Sequence, residues 1–290
     1  MNSPVTPDPI ERELKLGVRH LSADRLDSLL AQLDIEQVVR LPEQRLGNTY
    51  FDTPTGALHA LGVAVRLRQV DDQIEMTVKV REPDESGLTQ RQEWNLPVTT
   101  HALDWSALQA TPLAPSVQEL LAPAHLRPVF QNVLWRTDWR IQDQGLALTI
   151  SLDRGEVSVG SATSPVSEVE LEWHQGSLER LVSLGMTLAD HIPAYMAVIS
   201  KAERGERLIR GQSPLADPLP QTPLGWVNRL SRMLDPLAGP SPEAAVHALR
   251  ASGASCADEW GKRLMAGDIP VGLGRWMIET QQEHSRHGCA

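Results

Sequence analysis

Charged and apolar residues alternate with a period of two in one segment of this chain after another. In Ile10-Glu11-Arg12-Glu13-Leu14-Lys15-Leu16, the residues Glu11, Glu13 and Lys15 occupy alternate positions. In Val65-Arg66-Leu67-Arg68 two guanidinium groups alternate with two aliphatic side chains, and in Glu75-Met76-Thr77-Val78-Lys79 the polar set is Glu75, Thr77 and Lys79. Arg91-Gln92-Glu93-Trp94 pairs Arg91 with Glu93, Arg136 lies in Leu134-Trp135-Arg136-Thr137-Asp138, and Ser167-Glu168-Val169-Glu170-Leu171-Glu172 aligns three carboxylates opposite Val169 and Leu171. Successive side chains of a strand point to opposite faces, so each segment reads as a strand with one charged and one apolar face. Two architectures remain open. Either the charged faces are solvated in the ordinary way, or the apolar faces pack outward on helices and the charges line a lumen. Unpaired charges do not bury cheaply, so the second arrangement requires a ligand that satisfies both signs, such as a divalent metal with a polyanion.

The 290 residues carry a net charge of −10, which argues against a nucleic-acid-coating protein and makes any cluster of cations a local anion site. Hydrophobic content is 41%, enough for a real core. Cys256 and Cys289 lie late and without a CxxC motif, suggesting neither a disulfide framework nor a zinc site. Residues 1–9 lack the basic-then-apolar layout of a signal peptide, and no apolar run reaches the ~18 residues of a membrane span. The expectation is a soluble cytoplasmic protein with no nucleic-acid or membrane partner.

Strands are expected at 10–19, 46–52, 62–70, 73–81, 88–96, 132–141, 145–153, 155–160 and 166–174. Ser22 is a plausible N-cap for a helix carrying Leu26, Leu29, Leu30 and Leu33, and 177–189 fits a second helix. The connection Glu82-Pro83-Asp84-Glu85-Ser86-Gly87 is too long for a tight hairpin and reads as mobile. Residues 1–212 form the strand-rich domain, the proline-rich 213–223 a linker, and 224–290 a helical region with helices near 225–236, 241–252, 255–266 and 271–285.

The ordered series of motifs resembles the CYTH family, the triphosphate tunnel metalloenzymes. Glu11, Glu13 and Lys15 match its opening Glu-x-Glu-x-Lys signature. Then follow Tyr50-Phe51-Asp52-Thr53-Pro54, Leu58 and Gly62, Arg66 and Arg68, Thr77-Val78-Lys79, Arg91-Gln92-Glu93-Trp94, Trp135-Arg136, Asp153, Glu168-Val169-Glu170 and Ser200-Lys201-Ala202-Glu203-Arg204-Gly205. The resemblance covers about residues 10–210 and is nearest to the bacterial inorganic triphosphatases.

The resemblance implies an α+β fold: an eight-stranded antiparallel β-barrel, the triphosphate tunnel, with flanking helices and a small C-terminal helical appendage. It implies metal-dependent hydrolysis of inorganic triphosphate to phosphate and pyrophosphate. Lys15, Arg66, Arg68, Lys79, Arg91, Arg136, Lys201 and Arg204 would bind the phosphates, all but Arg204 joining Glu93 as the catalytic set. Glu11, Glu13, Asp153, Glu168 and Glu170 would hold Mg2+ or Mn2+, although Glu93 and Asp153 could instead orient neighbouring arginines. Glu172 falls to the tunnel mouth or outside, and Tyr50 and Phe51 are structural. The competing activities are thiamine or nucleoside triphosphatase, class IV adenylate cyclase, and non-catalytic polyphosphate binding. Residues 241–250 resemble the start of a CHAD domain without its arginine-rich continuation, a shortened relative whose alternative role is packing or homodimer formation.

Overall fold

A computed structural model describes residues 10–82, 88–239 and 241–287. The strands are β1 (Ile10–Val18), β2 (Gln37–Arg40), β3 (Gln44–Asp52), β4 (Val63–Val70), β5 (Gln73–Arg81), β6 (Thr89–Val98), β7 (Arg127–Asp143), β8 (Leu146–Val159), β9 (Ala162–Gln175) and β10 (Ala194–Met196). The helices are α1 (Ala23–Leu30), α2 (Ala57–Ala60), α3 (Trp105–Ala110), α4 (Pro115–Gln118), α5 (Leu178–Ala189), α6 (Lys201–Arg210), α7 (Pro223–Leu234), α8 (Pro242–Ala251), α9 (Ala257–Met265) and α10 (Leu273–His287).

All ladders are antiparallel and run β1-β6-β5-β4-β3-β7-β8-β9, and β9 pairs back onto β1. Eight strands therefore close into a barrel, with β2 added beside β7 and β10 beside β1. Closure matters here because it turns a face into a lumen and leaves no edge at the seam. The register settles which face is inside. Lys15 stands opposite Glu170, Asp153 opposite both Arg136 and Glu168, and Arg66 opposite both Tyr50 and Thr77. Cross-strand partners share a face, so the charged sets converge inward.

The apolar faces point out, against helices. Val63, Val65, Met76 and Val78 pack on Leu108, Val117 and Leu121 from the α3–α4 region. Leu14, Leu16, Ile150, Leu152, Val169 and Leu171 join a larger cluster with Leu26 of α1, Leu181 and Leu188 of α5, and Val227, Leu230, Leu249, Leu273 and Met277 of the C-terminal helices. A third cluster lies on the inward face. Leu46, Tyr50, Phe130, Leu134, Val157 and Val166 pack with Ala202 and Leu208 of α6, so this helix lies over an apolar end of the lumen. Gly205 makes the approach feasible, since a Cβ there would stand 2.5 Å from the Phe130 ring.

Ser22 caps α1 as expected, its hydroxyl accepting from the Arg25 amide at 3.1 Å. The expected break between 145–153 and 155–160 is absent, because β8 runs unbroken through Gly155. A Cβ at Gly155 would lie 2.0 Å from the Val133 carbonyl oxygen, so the glycine marks a close crossing of two strands, not a turn. The segments β2 and β10 were too short to announce themselves. Residues 83–87 of the long β5–β6 connection lie outside the described residues, as do residues 1–9 and Cys289. Cys256 is an exposed free thiol. No helix among the described residues is long and apolar enough to cross a membrane.

Candidate active site

The lumen opens as a cavity of about 380 Å³, within the range of small-ligand sites. Its lining includes Glu11, Glu13, Lys15, Arg66, Arg68, Lys79, Arg91, Glu93, Arg136, Glu170 and Lys201. These side chains come from six barrel strands and α6. Helix α6 is set by Ser200, whose hydroxyl accepts from the Glu203 amide at 3.1 Å and so places Lys201 in the first turn, aimed at the strands.

On the β8–β9 side, Asp153, Glu168 and Glu170 form a buried acidic cluster. Each offers a carboxylate oxygen within 4.8 Å of the others. Lys201 Nζ sits among them, 2.7 Å from Asp153, 2.9 Å from Glu170 and in contact with Glu168. Lys15 Nζ adds contacts of 3.0 Å to Glu170, 3.3 Å to Glu13 and 3.8 Å to Glu168. Arg136 forks onto Asp153 with two bonds of 2.6 Å and reaches Glu170 at 2.7 Å. Burial pushes all three acids up, but Arg136 and Lys201 outweigh it and hold the Asp153 carboxyl at about 2. Lys15, Lys201 and Arg136 likewise draw Glu170 well below the ordinary range. At Glu168 burial wins over Lys201 and Lys15, and its carboxyl stays raised. Three hard oxygen donors around one enclosed point suit a small divalent cation, and an ammonium group now stands in that position.

A second set lies on β1, β5 and β6. Lys79 Nζ bonds both oxygens of Glu11, at 2.9 and 2.8 Å, and Glu93 at 2.9 Å. Arg91 donates to Glu13 at 2.6 Å. Burial raises Glu93, but Lys79 and Arg66 hold it at about 2.

The third set is different. On β4, Arg66 is buried and Arg68 half-buried, yet the closest carboxylate oxygen to Arg66 is that of Glu93 at 3.9 Å. The Arg66 Nε is buried without a hydrogen-bond partner. Arg68 donates to the neutral amide oxygen of Asn48 at 3.0 Å, itself tied to Asn132. Burial, then Arg66 and Arg136, push the Arg68 guanidinium down to about 10. Buried cations with spare donors are the signature of an anion site.

The sequence profile of the CYTH domain matches residues 9–205. The chain belongs to the CYTH family. Among curated CYTH relatives, the inorganic triphosphatase of Haemophilus influenzae is 32% identical over 195 residues, covering 67% of this chain and 54% of its own length. The chain thus spans about half the length of that relative. Among solved structures, a Hippeastrum adenylyl cyclase candidate described as having a dominant triphosphatase activity aligns over 70% of this chain and 96% of its own, with 20% identity and a TM-score of 0.47. An adenylate cyclase candidate from Vibrio parahaemolyticus aligns over 61% of this chain and 87% of its own, with 17% identity and a TM-score of 0.39.

Of the candidate metal- and phosphate-binding residues, all but Arg204 meet in or directly behind the cavity. Asp153 and Glu168 stand behind its lining, touching Arg136 and Lys201. Arg204 is directed away. It forks onto Asp235 at 2.8 and 2.6 Å and donates to Ser164 at 2.8 Å. Sequence reading missed others. Glu172 lines the cavity, with its carboxyl pushed up to about 7 by burial and by Glu11, then Glu93 and Glu13. Strict alternation from Glu168 and Glu170 already puts Glu172 on the inner face. Tyr50 also lines the cavity, stacked on Phe130 with ring centroids 4.3 Å apart and hydrogen-bonded to Arg66. Asp52 of the same motif is structural: its carboxylate accepts from the amides of Thr53, Leu58 and His59, fixing the turn into α2.

Proposed function

We propose that this chain hydrolyses inorganic triphosphate to phosphate and pyrophosphate in its barrel lumen, in a reaction that requires Mg2+ or Mn2+. One observation carries this reading: a buried acidic cluster lies on one side of the cavity, and Arg66, buried, and Arg68, half-buried, line it without full carboxylate partners. A metal–triphosphate complex supplies what each side lacks, a divalent cation for the acids and anionic oxygens for the arginines. A pure anion binder gains nothing from Asp153, Glu168 and Glu170, which repel phosphate in the absence of metal.

Asp153, Glu168 and Glu170 are the residues that would hold the metal, with Glu11 and Glu13 on β1, the strand paired with β9. A divalent ion bound there supplies Lewis-acid polarisation of phosphoryl oxygens and a water of lowered pKa. The chain's own residues do the rest. Arg66 and Arg68 bind and orient terminal phosphate oxygens through their free donors. Lys15, Lys79, Arg91, Arg136 and Lys201 hold charge around the remaining phosphates and stabilise the leaving pyrophosphate. Glu93 keeps Lys79 and Arg66 aimed at the cavity. Lys201, whose ammonium stands among the acids, would turn it to phosphate oxygens if a cation held that position. The bare substrate is favoured over a nucleotide or thiamine ester because Tyr50, the one Phe, Trp or Tyr among the cavity-lining residues, already has its ring stacked on Phe130.

The test is phosphate release from tripolyphosphate, ATP, thiamine triphosphate and long-chain polyphosphate, each with Mg2+, with Mn2+ and with chelator, and with cAMP measured in the ATP arm. Metal-dependent release that is strongest from tripolyphosphate is expected. Metal-independent binding without release sinks the reading in favour of a binding module.

A further inference from the structure

A second cavity, of about 370 Å³, shares no lining residue with the lumen cavity. It lies on the seam between the barrel and the C-terminal helices. Arg19 and His20 reach it from the end of β1, Arg25 from α1, His191 from the α5–β10 connection and Arg263 from α9. Arg263 lies beyond residue 205, where the CYTH match ends. In a chain of net charge −10, three guanidinium and two imidazole groups thus share one small cavity. Asp268 is the one carboxylate in the lining. Among the described residues, neither it nor any other acid forms an ion pair with these three arginines.

The seam is fastened without those cations. Leu21, Ile192 and Ile269 give the cavity a buried apolar floor, and an isolated bridge joins Pro193 to Val271. Gly267, at a φ of +85°, ends α9. Its amide returns to the Leu264 carbonyl at 3.0 Å and the Asp268 amide to that of Arg263 at 2.9 Å, the paired bonds that commonly close a helix. Arg19 Nη1 donates to the Gly267 carbonyl at 2.7 Å, which fixes that guanidinium in the wall with donors to spare. The C-terminal dipole of α9 accounts for a cation at Arg263, but not for Arg25 or the imidazoles.

We propose that this seam cavity is a binding site for a compact phosphate anion, with Arg25 and Arg263 donating to its oxygens and Arg19, His20 and His191 completing the basic wall. The volume suits a small ligand, and the guanidinium fork matches phosphate oxygens. No Phe, Trp or Tyr lines the cavity, so it offers no platform for a nucleobase, and a bare phosphate anion is the class it takes. Pyrophosphate and orthophosphate share that chemistry. Either one would bridge the barrel to the helical region. The inference is independent of what the lumen does.

The experiment is calorimetric titration of the full chain with pyrophosphate, and separately with orthophosphate, with chelator present and at about 0.15 M salt, where diffuse surface attraction is screened. The comparison is between wild type and a variant carrying both Arg25→Ala and Arg263→Ala, two exposed positions whose loss should leave circular dichroism and tripolyphosphate hydrolysis unchanged. The variant is expected to bind one equivalent fewer, or to hold that equivalent at least tenfold more weakly, for whichever anion occupies the seam. If the lumen also binds the anion, the count falls from two to one. If it does not, the count falls from one to none, so the result reads the seam alone. Arg25→Lys with Arg263→Lys keeps both cations and should keep the equivalent. Equal stoichiometry and affinity in wild type and the alanine variant, or no binding of either anion by the wild type, overturns the inference.

Discussion

The two sides of the lumen handle buried charge in opposite ways. On the β8–β9 side each carboxylate of the acidic cluster has a cation against it, and Lys201 fills its centre. On the β4 side Arg66 keeps a buried donor without a partner, and Arg68 has only the neutral oxygen of Asn48. One side is self-neutralised and the other is held ready. If the lumen takes a metal–anion complex as proposed, such a site need not expose both charges: an ammonium stands among its acids and the β4 arginines alone are left unsatisfied.

The sharpest way to break this comparison is Glu170→Gln. Glu170 is shared by Lys15, Lys201 and Arg136, so its loss should lower kcat for tripolyphosphate by about 10³-fold. Near-wild-type phosphate release would remove the acidic side from the chemistry. The next test sets stability against activity. Lys201→Met leaves three buried carboxylates short of a cation and should cost about 3–5 kcal/mol of metal-free stability in urea unfolding. Arg68→Met removes a cation with no carboxylate partner, so its stability should hold or rise while kcat/KM falls about 100-fold. Equal stability losses in the two variants would erase the distinction between the sides.

A smaller effect belongs to Glu172. Its folded carboxyl lies near 7 against an ordinary 4.5, so the native state binds the extra proton between those values. Metal-free stability is therefore lost as pH rises through that window. Glu172→Gln should melt like wild type near about pH 4 and be more stable above about pH 7, by roughly 2–3 kcal/mol. A pH-independent difference in Tm would place Glu172 outside the charged face. Least of all, Tyr50→Phe deletes the hydroxyl bonded to Arg66 and should raise KM only about two- to fivefold, with kcat kept.

Much of this was legible because the signal was local. Period-two alternation separated the charged from the apolar faces of β1, β4, β5 and β9, and the order of the motifs implied the closed barrel that puts the charged faces inside. What failed was non-local. Lys201 and Arg204 look like one helical face in sequence, but the turn between them is enough to send one into the lumen and the other to Asp235, a partner that lies far along the chain. Gly155 reads as a break because glycine usually interrupts strands, and only the crossing with Val133 shows otherwise. A helical region of this size would have only a marginal core alone, and Leu230 and Met277 indeed share a cluster with Leu14 and Val169 of the barrel, partners that no local pattern names.

The pairing of β9 back onto β1 has a consequence for the order in which the molecule can form. Strand β1 cannot be sealed until β9, near the far end of the CYTH region, has been made. Such a long-range pairing slows folding and leaves an open sheet waiting with one face exposed. In most barrels that face is greasy and invites aggregation. Here it is studded with Glu11, Glu13, Lys15 and Lys79, so the unfinished sheet presents a hydrated surface to the cell until its last ladder forms.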